Sequence, residues 1–135
     1  MNETTDRPIL RTAGLLFVGG FLLHNTDHAR RGIDAITDHV VWGGTAVAVV
    51  AAVMLTLVFT RHPLAPFAAV AAGFGIAMSV SATHLLPDWG VLSDSLPDGD
   101  VDSLTWVAVL AEIAGAVAVG TAGLVVLRRE GALAR

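Results

Sequence analysis

Cysteine and lysine are both missing from this chain of 135 residues, and charge of either sign is scarce. Without cysteine there is no disulfide framework, no thiolate metal site and no clue to redox compartment. Without lysine the 8 basic residues are all arginine, and with Ala, Val and Gly abundant this points to a GC-rich, bacterial genome. A net charge of -4 supplies no basic patch, so nucleic acid is not expected as a partner. Walker loop, GxGxxG, GxSxG elbow and HExxH are absent too, which argues against a serine hydrolase in particular. No repeat, low-complexity tract or second domain is visible.

What is present is apolar. Only 15% of residues are charged, 54% are hydrophobic, and the mean hydropathy is +0.69, too little polar surface for a soluble domain of this size. Crossing a hydrocarbon core of about 30 Å takes roughly 20 mostly apolar helical residues. Val40 to Thr60 carries no charge, Pro63 to Pro87 has no Asp, Glu, Lys or Arg, and Ser103 to Leu127 has Glu112 alone. Thr12 to Thr26 is a shorter charge-free stretch, which a start at Pro8, a residue suited to a first helical turn, extends to a full span. Arg61-His62-Pro63 and Leu86-Pro87-Asp88-Trp89-Gly90 break the segments, and Pro97-Asp98-Gly99 is a turn before Asp102 or Ser103 caps the last one.

These signals predict an all-α integral membrane protein of the cell membrane. It is one domain over residues 1–135, a four-transmembrane-helix bundle with helices near 8–30, 39–60, 64–87 and 103–127. The first segment reads as a retained helix, because Glu3 and Asp6 dilute a signal-type basic region and no small-x-small cleavage site follows Leu23. Arginines set the orientation. Arg7, Arg11, Arg61, Arg128, Arg129 and Arg135 fall on one side, Arg30 and Arg31 on the other, so both termini are expected in the cytoplasm.

That orientation collects the polar residues in one outward layer: His24, Asp27, His28, Asp34, Asp38, His39, His84 and Asp88. His24 and His28 form HxxxH, whose side chains share a helical face. His24 lies on the face of Gly20, Phe17 and Ala13, and His84 on a stripe of small residues, Ala69, Gly73, Ala77 and Ser81, of the kind that marks close helix contact. Glu112 sits about 12 Å inside its helix. A carboxylate at that depth normally faces the bundle interior with a partner, here His24 or His84. Asp27 with Arg31, and Arg30 with Asp34, are spaced for local ion pairs.

Imidazoles and a carboxylate without thiolates suit copper, zinc, iron or manganese, and helical bundles build such sites from inward His and Glu. The candidate ligands are His24, His28, His84 and Glu112, with Asp27 and His39 as alternates or as partners that fix an imidazole tautomer. A haem b between His24 and His84, with Gly20 and Gly73 making room for the porphyrin, is the alternative cofactor. Beside these stand plainer readings: interfacial solvation of His28, Asp34, Asp38 and His39, a hydrogen-bonded helix contact for His24 and His84, and a structural buried pair for Glu112. Trp42, Trp89 and Trp106 read as an interfacial aromatic belt. The acidic run DGDVDS (98–103) lacks the glycine and the bidentate glutamate of a calcium loop and reads as loop and cap.

Three functions fit: a membrane metal or haem protein, an oxidoreductase component among its possible forms; a small proton-coupled transporter, working as an oligomer; and an accessory subunit of a larger membrane complex. The histidine layer favours the first, with the lipid bilayer as the one assured partner.

Overall fold

The computed structural model describes residues 7–32 and 36–131 and is all-helical among them. Four helices follow in order: α1 (Arg7–Arg31), α2 (Asp38–Phe59), α3 (Ala65–His84) and α4 (Ser103–Arg129). Their ends obey local chemistry. The Thr37 hydroxyl accepts the Val40 N–H at the start of α2, and the Asp102 carboxylate accepts the Thr105 N–H at the start of α4. Pro66 occupies the first turn of α3, where its missing N–H has no helical partner to lose. Gly32 ends α1 in the left-handed region, φ 93°, its N–H on the His28 carbonyl, a conformation that only glycine adopts without strain.

α3 stops three residues short of the expected Pro87. Pro87 disfavours a helical Leu86, and the chain beyond it folds back onto the helix end. The Asp94 N–H reaches the Thr83 carbonyl at 2.9 Å and the Leu96 N–H the His84 carbonyl at 2.9 Å. Leu96, only 2% exposed, plugs the bundle end beneath this connection. The last carbonyls of α3 are thereby satisfied from outside the helix.

The helices run up, down, up, down. α4 is the central element, antiparallel to both α1 and α3, and glycines set the distance. A Cβ at Gly20 would run into the Ala111 carbonyl and lie 2.8 Å from the Glu112 Cα, and one at Gly115 would lie 2.7 Å from the Phe17 Cα. On the other side, a Cβ at Gly73 would lie 2.6 Å from the Gly120 nitrogen. These are the small-residue faces read from the sequence, and they bring backbones into direct contact.

α2 packs along α3 but meets α1 at one end, where Leu55, Val58 and Phe59 surround Gly14. The result is a space between α1, α2 and α3 at the opposite end of the bundle. α2, α3 and α4 are each long and apolar enough to cross a membrane, and 11% of the most apolar stretch of α2 is buried against 50% for α4. Leu15, Leu16, Trp42, Val49, Val53 and Met78 are all exposed. An apolar outer surface of this kind suits lipid better than water.

Candidate metal centre

The tight α1–α4 contact has a chemical consequence one turn further along. With Gly20 against the backbone at Glu112, the next turn of α1 carries His24 directly onto the Glu112 carboxylate, and His24 Nδ1 bonds Glu112 Oε2. His24 is 6% and Glu112 2% exposed, so the pair is sealed in the bundle. A carboxylate only accepts, so Nδ1 carries the proton when Glu112 is ionised, and in a neutral His24 the lone pair then falls on Nε2. That Nε2 is buried and has no hydrogen-bond partner among the described residues.

His84 is prepared in the same way by a different element. Its Nδ1 donates to the Asp94 carbonyl at 3.1 Å and lies 3.5 Å from Asp94 Oδ2. Its Nε2 lone pair is therefore also free. Asp94 in turn is fixed by Arg31, whose Nη2 donates to both carboxylate oxygens at 2.9 and 3.1 Å. Arg31 at the end of α1 thus holds the connection that orients the histidine at the end of α3.

His28 completes the group. Its ring centroid is 4.6 Å from that of His24 and 5.6 Å from that of His84, and the His24 and His84 rings meet edge to face at 4.7 Å. One ring nitrogen from each of the three lies within 4.8 Å of the others. Bonds of about 2.0 Å to a tetrahedral ion place ligand nitrogens about 3.3 Å apart, so the three nitrogens would draw together by up to about 1.5 Å to hold an ion. Two of the three imidazoles already have the second-sphere acceptor that metal-bound histidines characteristically show.

Glu112 enters this arrangement through His24. A cation held on the far nitrogen of His24 would add positive charge beside this buried carboxylate. The remaining polar residues belong elsewhere. Asp27 is turned toward α4 and accepts from Arg30 Nε at 3.0 Å and Nη2 at 2.8 Å, and Arg30 goes on to Asp102 at 3.0 Å. The pairing of Asp27 with Arg31 expected from the spacing is replaced by Asp27–Arg30 and Arg31–Asp94, because Arg31 faces the α3–α4 connection. Asp34, the expected partner of Arg30, lies outside the described residues. His39 is exposed at the start of α2. Trp42 and Trp89 are exposed at the same bundle end, while Trp106 leans against the core.

Asp94 is the residue beside the histidine group that sequence reasoning passed over. Asp88, Asp94, Asp98, Asp100 and Asp102 all lie between α3 and α4, and nothing in their spacing says which one returns to the end of α3. Asp98 serves the loop itself, accepting the Asp88 N–H and the Ser95 hydroxyl. Asp102 caps α4, and the Thr105 N–H and the Arg30 guanidinium hold its carboxyl below the ordinary aspartate range.

A cavity of about 500 Å³ lies between α1, α2 and α3 and reaches His24, His28, His84 and Glu112. Three histidines that could hold a metal ion, two of them oriented from behind, therefore stand at one end of a helical bundle with three membrane-capable helices. The chain matches no protein-family model, no curated protein and no solved structure.

Proposed function

We propose that this is a cell-membrane protein in which α1 makes a fourth crossing, and that it binds a transition-metal ion through His24, His28 and His84 near the outer membrane surface. The outward placement rests on the arginine distribution. The observation that carries the metal reading is His24 Nε2, buried and without a hydrogen-bond partner among the described residues, beside two further imidazoles and backed by a carboxylate on Nδ1.

Three neutral imidazoles with no thiolate suit copper, zinc or ferrous iron, and a three-histidine shell leaves a coordination position for a substrate or for Glu112. Copper or iron would make the site a redox component; zinc would make it a binding or Lewis-acid site. The geometry favours an ion over haem. Gly20 and Gly73 do not open space for a porphyrin, since the backbone of α4 fills both places, and the His24 and His84 rings touch edge to face.

The test is elemental analysis and absorbance spectroscopy of the detergent-purified chain beside a His24→Ala/His84→Ala variant. About one transition-metal ion per chain, lost in the variant, is expected. A folded, colourless wild type that takes up none of copper, zinc or iron on reconstitution refutes the metal site and leaves proton-coupled transport or an accessory role as the readings.

A further inference from the structure

The walls of the 500 Å³ cavity are more apolar than their residue types imply. Thr45 and Ser79 line it, yet the Thr45 hydroxyl donates to the Val41 carbonyl and the Ser79 hydroxyl to the Ile76 carbonyl. The Asn25 amide likewise donates to the Phe21 carbonyl. Polar side chains that bond their own helix leave the wall to Val40, Val47, Ala48, Val80 and Leu92. Unused polar capacity is concentrated at the histidine end. An ion crossing such a space would meet few oxygen or nitrogen ligands on the way, so the cavity is poorly built as an ion path.

Its volume lies in the range of about 300–1,000 Å³ in which proteins hold small organic molecules, with apolar walls and few converging polar groups. The polar end also restricts the head group. Nδ1 of His24 and of His84 each face an acceptor, so both Nε2 atoms offer lone pairs. At these two nitrogens a carbonyl or ether oxygen only brings a second acceptor, whereas a hydroxyl can donate to an imidazole or, with an ion present, give up its proton and coordinate as the anion, which an ether cannot do.

We propose that the cavity takes a lipid-soluble, hydroxyl-bearing molecule of the alkylphenol or quinol class, its hydroxyl at the histidines and its hydrocarbon between α1, α2 and α3. This rests on the reading of the cluster given above. It adds the class of molecule that the site admits.

The probe is a brominated alkylphenol, which quenches tryptophan at contact. It is titrated into the full chain in detergent, using a Trp42→Phe/Trp106→Phe protein that keeps Trp89 at the cavity and a Trp89→Phe/Trp106→Phe protein that keeps the exposed Trp42. Saturable quenching of Trp89 is expected, against linear quenching of Trp42 by probe dissolved in the micelle. The methyl ether should bind about tenfold more weakly, the scale of one lost hydrogen bond. Ala48→Phe should fill the cavity and abolish saturation while leaving metal content unchanged. Gly44→Leu is the second cavity-filling variant should Ala48→Phe misfold, since a Cβ at Gly44 meets nothing within 4 Å. Linear quenching of Trp89, or saturation untouched by a folded cavity-filling variant or by methylation, overturns the proposal. Wild type that takes up no metal yet binds the phenol saturably would instead refute the metal reading alone.

Discussion

Replacing Glu112 separates an orienting role from a ligating one. Glu112 meets the histidine group through His24 Nδ1. Glu112→Gln keeps an oxygen able to accept that N–H but removes the charge. Glu112→Ala removes the acceptor and leaves a buried Nδ1–H unpaired, free to tautomerise away from the form that presents a lone pair on Nε2. Loss of a second-sphere partner weakens metal affinity by about 10–100-fold, or about 1.4–2.7 kcal/mol. Glu112→Gln is expected near the lower bound and Glu112→Ala near the upper. The assay is chelator competition on the purified chain loaded with cobalt, whose visible bands report coordination number alongside affinity. An orienting glutamate changes affinity with the band pattern retained, and a ligating one changes the bands. Affinity within twofold of wild type in both variants, with His24→Ala still abolishing binding, would refute the orienting role of Glu112.

Gly20→Ala should destabilise the fold by about 1–3 kcal/mol by overpacking, net of the better helix propensity of alanine, because its Cβ meets the backbone of α4. Gly75→Ala, with nothing within 4 Å, should be neutral or slightly stabilising; thermal melts of the two decide it. Asp94→Ala frees Arg31 and removes the carboxylate 3.5 Å from His84 Nδ1 but keeps the backbone carbonyl that accepts from it, so metal affinity should fall by at most about tenfold without loss of helical circular dichroism; an unchanged affinity would leave the Asp94 carboxylate a loop staple only. The depressed carboxyl of Asp102 stabilises the folded state above the unfolded aspartate value, and this contribution is lost as pH falls through the lower folded value. The melting temperature of Asp102→Asn should therefore decline less on acidification than that of wild type, and parallel declines would contradict the capping account.

The parts of the fold that were legible in the sequence are those fixed by one segment at a time. The helix start at Pro8, the Asp102 cap and the small-residue faces of Gly20 and Gly73 each follow from local pattern, and each reappears in the bundle. The inward direction of His24, His84 and Glu112 was legible for the same reason, since a helix face is a matter of period. What one segment cannot specify is a choice between distant partners. Arg30 and Arg31 are adjacent, yet a rotation of about 100° per residue sends one to α4 and the other to the α3–α4 connection. Spacing offered Asp27 to Arg31 at i+4, and the helix gave it to Arg30 at i+3.

That division of the two arginines ties the site to the fold. Arg30 fastens the end of α1 to the start of α4 through Asp27, Asp102 and Thr105, on the side of α1 that also carries His24 onto Glu112. Arg31 fastens the same helix end to Asp94, and so to His84. The two oriented histidines come from α1 and α3, which meet here through α4 on one side and a returning loop on the other. The Arg30 clamp is about half-exposed and is screened by salt, whereas Arg31 and Asp94 are 14% and 16% exposed and lose less of their attraction. The more sheltered of the two pairs is thus the one that sets an imidazole, and His84 should keep its orientation at ionic strengths that loosen the rim.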